Sequence, residues 1–337
     1  MVDALDSKSG VARHGSSSLP SGTKSEYTFC ARHVMFMPPQ KLIVILGPTA
    51  TGKSALAVEI ARTVKGEIIS ADSRQIYTGL NLGTGKVTKK EMRGIPHYML
   101  DVANPKKQYS VAQYSKEVQR IIADIRARGR VPIICGGTGF YIDVAINDTP
   151  LPEVPPNREL RKQLGPKSAE TLFQMLTRLD ADRAKTIDKH NKVRLIRAIE
   201  IAKALGSVPK PKKSMAQSNI LKIGLDMPDK DLKARIEKRL KERMRKGMQK
   251  ESVQLHEDGL SWKRMLELGL EYRALAQLIQ GHIDRTEFET RLALDIWHYA
   301  KRQRTWFKRD EATIWINPLK KSGQQKALKE VRRFLRA

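Results

Sequence analysis

The residues Gly47-Pro48-Thr49-Ala50-Thr51-Gly52-Lys53-Ser54 have the G-x-x-x-x-G-K-[ST] spacing of a phosphate-binding loop. The glycines let successive backbone N–H groups turn inward on an anion, Lys53 supplies a point charge, and the Ser54 hydroxyl can ligate Mg²⁺. Two further chain segments end in groups of similar promise. Asp72 can act as a metal ligand or a general base, or can simply be a helix N-cap. Thr138 follows Gly136 and Gly137, whose small size permits close backbone approach, so its hydroxyl and N–H can reach a phosphate oxygen; a plain strand-to-helix turn would look the same. Arg235, Arg239 and Arg243 recur every four residues beside the stripe Leu232, Ile236, Leu240 and Met244. Such a face can clamp a diphosphate or be an ordinary solvated surface. The stretch Lys301 to Arg309 joins five basic residues to Trp306 and Phe307 and follows Trp297 and Tyr299. Its cations can meet phosphates while aromatic rings stack on unpaired bases. Alternatively, Trp297, Tyr299 and Trp306 are core contacts beneath a basic outer face.

These residues need elements to position them. The apolar run Leu42 to Leu46 ends at Gly47 and reads as a buried parallel strand, with a helix from Lys53 to about Val64. Glu67 to Ala71 reads as a second strand ending at Asp72, and Val131 to Cys135 as a third ending at Gly136. Between them, Val111 to Arg128 has helical spacing. Strand, helix, strand, helix, strand is the order of a doubly wound α/β sheet, here a P-loop NTPase-like parallel sheet flanked by helices. Pro150, Pro152, Pro155 and Pro156 then break the chain. A helical subdomain is expected to be inserted over 147–218, with helices over 160–164, 169–179 and 192–205 and a basic linker at Val208 to Lys213. The core is expected over 39–146 and 219–316, with a further strand at Leu221 to Asp226 and amphipathic helices from Asp229 to Arg309. Residues 1–38 read as a disordered leader and 317–337 as a tail helix.

The chain has 337 residues and is strongly basic, with 63 Lys and Arg against 36 Asp and Glu for a formal charge of +27, which points to a polyanionic partner. Cys30 and Cys135 are the only cysteines, too few for a disulfide framework or a four-ligand zinc module. No apolar run is long enough to span a membrane and no signal-peptide pattern opens the chain, so an intracellular, cytoplasmic protein is expected. The histidines show no metal spacing; His97, His190 and His256 read as structural or surface groups.

Taken together in order, GPTATGKS (47–54), DSRQIY (72–77), LGTGK (82–86), GGTGFY (136–141), VRLIR (193–197), RIEKR (235–239) and KRQRTWFK (301–308) resemble the signature segments of the tRNA dimethylallyltransferases, the bacterial tRNA isopentenyltransferase family. The resemblance spans about residues 41 to 316. It implies transfer of a dimethylallyl group from dimethylallyl diphosphate to N6 of adenine 37, beside the anticodon of tRNAs that read codons beginning with U. Asp72 would be the general base. Lys53, the loop amides, Thr138 and Arg239 would stabilise the departing diphosphate, with Mg²⁺ near Ser54. Asp72, Ser73, Arg74, Gln75, Arg194, Arg197, Lys301, Arg302, Arg304, Trp306 and Lys308 would contact the anticodon stem-loop. The helical insertion corresponds to the family's swinging domain, and a monomer that binds tRNA, prenyl diphosphate and Mg²⁺ and touches no membrane is expected. The family's usual Gly-Tyr-Arg/Lys stretch appears as Leu268 to Arg273, so only Gly269 carries over as a tRNA contact, and the zinc finger of eukaryotic relatives is absent. A small-molecule kinase would explain the loop but not the basic aromatic helix. A non-enzymatic RNA-binding protein would explain the helix but not the loop.

Overall fold

The computed structural model describes residues 41–147, 151–152, 154–209 and 219–337. The expected leader, Cys30 and most of the Val208–Lys213 linker lie outside the described residues.

Strand β1 (Leu42–Leu46) buries every side chain, as a strand covered on both faces must. It pairs in parallel with β4 (Val131–Gly136) on one side and β5 (Ile220–Leu225) on the other. Strand β2 (Gly66–Ala71) lies beyond β4, with β3 (His97–Tyr98) at that edge and β6 (Ile314–Ile316) at the opposite edge. The order is β3-β2-β4-β1-β5-β6, all parallel. From β1 the chain crosses past the place of β4 to reach β2, and from β4 it crosses past β1 to reach β5. The crossovers therefore diverge at β1 and β4, and a crevice opens where their carboxyl ends part. Strands β3 and β6 extend the sheet beyond the sequence expectation, because two and three residues are too few to show a period.

Helices cover both faces. One face carries α1 (Lys53–Val64), whose Leu56, Ala57, Ile60 and Ala61 pack with Ile43, Ile45, Ile133 and Ile223, and the C-terminal α14 (Lys321–Arg336). After the short α2 (Lys89–Met92), the other face takes α3 (Val111–Ala127) and α4 (Gly139–Asn147), with Tyr114, Val118, Ile122 and Tyr141 against Val44, Ile69 and Ile134. Ser110 opens α3 with a capping box closed by Gln113, which satisfies two otherwise orphaned N–H groups.

The segment expected as a helical insertion contains α5 (Arg158–Leu164), α6 (Ala169–Leu179), α7 (Ala181–Thr186) and α8 (Lys192–Leu205), packed around Leu172, Leu176, Leu195 and Ile199. Glu200, 3 % exposed, ties it to its own entry segment. Its carboxylate accepts hydrogen bonds from Arg161 Nε and Nη2 at 2.7 and 2.8 Å, from Arg197 at 3.1 Å and from the Asn157 N–H at 2.9 Å. Burial alone would raise its pKa, but these hydrogen bonds outweigh it and hold the carboxyl below its ordinary value. The remaining helices, α9 (Asp229–Arg245), α10 (Met248–Glu257), α11 (Trp262–Leu268), α12 (Leu270–Ile279) and the long α13 (Arg285–Phe307), pack over the carboxyl ends of the strands and the adjoining face. Glu200→Ala leaves two arginines and one N–H without their acceptor. It is expected to destabilise the insertion by about 2 kcal/mol, read by native-state hydrogen exchange as reduced protection in α5–α8 while β1 and β4 keep theirs.

Candidate active site

The loop after β1 can be built only from particular residues. Gly47 has φ +141°, and a Cβ there would lie 2.4 Å from the Leu225 carbonyl oxygen, so only glycine lets β1 leave the sheet against β5. Ala50 is held at φ +63°, a conformation that costs a non-glycine residue energy and that packed surroundings must enforce. The Pro48 carbonyl accepts from Thr51 Oγ1 at 2.8 Å and from Lys53 Nζ at 2.6 Å. Gly52 gives α1 no side-chain cap, which leaves the helix N-terminus turned to the crevice without an internal acceptor from that residue.

The crevice is a cavity of about 710 Å³. Thr49 to Ser54 form one wall; Asp72, Gln75, Arg235, Arg239, Tyr299 and Gln303 are among the residues opposite, and Glu59, Arg62, Glu91 and Arg93 also line the space. No helix follows Asp72, so its carboxylate caps a turn and not a helix. Its Oδ1 accepts the N–H groups of Arg74 and Gln75 at 2.9 and 3.3 Å, which fixes the turn, while its side chain still lines the cavity. Thr138 stands just behind: its Oγ1 accepts the Ser73 N–H at 3.1 Å and is hydrogen-bonded to Tyr299, so it braces the Asp72 turn. Burial, then the charge of Asp72, pushes the Tyr299 phenol up to about 12, with the Thr138 hydrogen bond partly offsetting them. The Cys135 thiol is pushed up to about 11, chiefly by burial, and stays protonated.

Positive charge dominates the cavity. Arg235 and Arg239 make no ion pair among the described residues, and burial followed by the neighbouring charges of Arg243 and Arg235 lowers the Arg239 pKa. Burial also lowers Lys53 to about 8, against the pull of nearby Cys135 and Asp72. Arg243, the third of the series, is turned away, donating to the carbonyls of Leu82 and Gly83 at 3.4 and 2.7 Å and to Glu271 at 3.1 Å. A space lined by cations, backbone N–H groups and the Asp72 carboxylate, with Glu59 and Glu91 also on its lining, can hold a diphosphate and accept a proton beside it. The Ser54 hydroxyl, open to the cavity, is a hard oxygen donor of the kind Mg²⁺ takes together with phosphate oxygens, so the site fits that ion.

The residues expected to meet nucleic acid fall into two groups. Lys301 and Arg302 are exposed on α13, Lys308 is exposed just past its end, and Arg194 is exposed on α8. Arg304, by contrast, spans Asp226 at 2.8 Å, Asp229 at 2.7 Å and the Met227 carbonyl at 3.1 Å, so its guanidinium holds α13 against the end of β5. Arg197 is likewise engaged by Glu200 and by the Val154 carbonyl. Trp306 is half-buried: its Nε1 donates to Asp143 at 3.1 Å, and the Arg309 guanidinium stacks 4.1 Å from its ring. A Cβ on Gly139 would meet this ring at 2.2 Å, which accounts for the glycine. Trp297 is core, at 8 % exposure. Gly269 makes the bend between α11 and α12, and in the altered stretch after it Tyr272 is a core residue whose hydroxyl donates to Glu251.

The sequence does not single out Glu251 or Gln303, although Gln303 lies within the 301–308 segment. Glu251 accepts the N–H groups of Asn81, Leu82 and Gly83 at 3.2, 2.7 and 3.0 Å and so fixes the Leu82 to Lys86 loop at the cavity wall. Gln303 accepts the Thr49 N–H at 2.8 Å and donates to the Gly137 carbonyl at 2.7 Å. Its signal was a polar residue on the buried stripe of α13, which otherwise reads Phe288, Leu292, Ile296, Ala300, Phe307.

A six-stranded, all-parallel sheet flanked by helices, with the Gly47–Ser54 loop following β1, defines an α/β protein with added helical layers. Residues 75–310 match the model of the IPP transferase family, and the chain belongs to that family. It is 41 % identical over 274 residues to tRNA dimethylallyltransferase 2 of Treponema denticola, covering 80 % of this chain and 92 % of the relative. It is 39 % identical to tRNA dimethylallyltransferase 1 of Geotalea uraniireducens, covering 88 % and 97 %. The full-length tRNA isopentenylpyrophosphate transferase of Bacillus halodurans superposes with a TM-score of 0.67 at 30 % identity, covering 88 % of this chain and 97 % of that one. A eukaryotic dimethylallyltransferase solved acting on tRNA has a TM-score of 0.70 over 87 % of this chain and 77 % of its own, and at 22 % identity shares the fold.

A bound anion favours the charged form of Lys53, so ligand binding draws a proton onto it at and above its empty-site pKa of about 8. Affinity for inorganic diphosphate is therefore expected to be independent of Lys53 ionisation well below pH 8 and to fall as pH rises past it. Calorimetry at pH 8.5 in buffers of different ionisation enthalpy should register the proton uptake, and Lys53→Met should abolish it.

Proposed function

We propose that this cavity is where a dimethylallyl group passes from dimethylallyl diphosphate to N6 of adenine 37 in tRNA, releasing diphosphate. The observation that carries the reading is the placement of the Asp72 carboxylate in the same cavity as Lys53, Arg235, Arg239 and the loop amides. The adenine leaves the anticodon-loop stack to reach Asp72, a step that unpaired loop bases make at low cost. As the exocyclic nitrogen bonds to the allylic carbon, the carbon–oxygen bond to the diphosphate breaks and Asp72 takes the proton released from nitrogen. Lys53, Arg239 and the first-turn N–H groups of α1 meet the charge that collects on the leaving oxygens. Thr138 contributes by holding the Asp72 turn through Ser73. Mg²⁺ bound at Ser54 would neutralise further diphosphate charge. The exposed Lys301, Arg302, Lys308 and Arg194 are the cations free to meet the RNA backbone, with Trp306 beside them, in a cytoplasmic monomer.

The reading is tested by incubating the protein with labelled dimethylallyl diphosphate or labelled ATP, with and without unmodified tRNA. Label transferred to tRNA from the prenyl donor supports it; ATP turnover without tRNA overturns it. Asp72→Asn keeps an acceptor for the Arg74 and Gln75 N–H groups but not the base. Its kcat is expected to fall by roughly 10²–10⁴-fold with tRNA affinity nearly unchanged; equal losses in both would make Asp72 a tRNA-positioning group. The triple variant Lys301→Ala, Arg302→Ala, Lys308→Ala should weaken tRNA binding and reduce the slope of log K against log salt by about one unit for each phosphate that is no longer neutralised.

A further inference from the structure

Gln303 occupies an unusual place. It lies on the buried stripe of α13 at 6 % exposure, yet both ends of its amide are used, and both partners belong to the floor of the cavity. One partner is the Thr49 N–H in the loop after β1; the other is the Gly137 carbonyl at the end of β4. The amide thus bridges the loop and the adjacent strand end across the gap where β1 and β4 part. The packing is tight, since a Cβ on Gly137 would come within 2.3 Å of Gln303 Nε2. The same turn of α13 carries Lys301 and Arg302 on its exposed side, and Tyr299 in the cavity beside Asp72. Arg304 then pins this turn to Asp226 and Asp229, past the end of β5. A helical turn is stiff, so a load on its outer cations is felt by the side chain on its inner face.

We propose that Gln303 is a positioning residue that holds the diphosphate loop in its anion-binding shape, and that it couples this shape to seating of RNA on the Lys301–Arg302 side of α13. The proposal rests on the reading of the cavity as a prenyl diphosphate site. Without the amide, the Thr49 N–H and the Gly137 carbonyl face each other across the gap with no partner between them. The strained loop at Ala50 is then no longer held over its first half, and the anion must organise the loop itself.

The test uses the full chain, with inorganic diphosphate and dimethylallyl diphosphate as probes and an anticodon stem-loop RNA as the second ligand. Gln303→Met keeps the volume and removes both hydrogen bonds. It is expected to raise the diphosphate Kd and the prenyl-donor KM about ten-fold, to leave the Kd of the stem-loop unchanged, and to abolish the tightening of diphosphate binding that the RNA is expected to cause in the wild type; a wild-type diphosphate Kd that the RNA leaves unchanged overturns the coupling. Gln303→Glu provides a signature that a merely structural role would not give. Its protonated carboxyl can both accept from Thr49 and donate to Gly137, and its ionised form cannot donate. Its diphosphate affinity relative to wild type should approach one near pH 5 and fall as pH rises. If the wild type fails to bind diphosphate, the reading of the cavity falls. If the wild type binds it and Gln303→Met binds equally well, or if Gln303→Glu shows no pH-dependent recovery, the role assigned to Gln303 falls instead.

Discussion

Like charges in a partly desolvated space repel, and this protein gathers Lys53, Arg235 and Arg239 around one cavity in which Asp72 is a principal counter-charge. Burial first, and the neighbouring cations after it, lower the pKa values of Lys53 and Arg239. A fold keeps such a cluster only when rigid elements on all sides force it, because relaxation would carry the cations out to water. Here β1 and its loop place Lys53, α9 places the two arginines, and α13 closes the remaining side. Each of these elements is anchored elsewhere: β1 between two parallel neighbours, α9 by Leu232, Ile236 and Leu240, and α13 by Phe288, Leu292 and Ile296. The cavity therefore carries an electrostatic demand for a polyanion that the rest of the molecule is built to sustain.

The sheet strands and the loop were legible in sequence because their cause is local. Five consecutive apolar residues ending in glycine can be little else but a buried strand, and the loop spacing follows from how backbone N–H groups surround an anion. Asp72 and Arg239 could be proposed because each ends or rides an element whose period is visible. Helices of the insertion were visible for the same reason, their apolar spacing surviving without knowledge of what they face. The short edge strands β3 and β6 were not visible, since two or three residues acquire strand geometry only from a neighbour already in place.

What sequence could not show were commitments between distant groups. Arg304 looks like any other cation of its run until Asp226 and Asp229 are placed beside it. Gln303 and Glu251 act through backbone N–H groups 254 and 168 residues away, and a backbone donor leaves no trace in the choice of residue at its own position. The basic aromatic helix divides accordingly. Lys301, Arg302 and Lys308 remain available to a partner, Arg304 is used inside the fold, and Trp306 is fixed in orientation by Asp143 below and Arg309 above. A charge count over the segment overstates its free cations.

The hydrogen bond from Lys53 to the Pro48 carbonyl gives the loop an occupant of its own. An arriving anion has to displace an interaction already made, so the first charge it brings is partly spent in exchange. A small anion that can reach Lys53 alone gains little from the substitution. A ligand long enough to meet the α1 terminus, Lys53 and Arg239 at once gains from all three after a single displacement. Under the proposed function, the loop would thereby set a threshold of ligand length and favour two phosphates over one without any side chain dedicated to telling them apart.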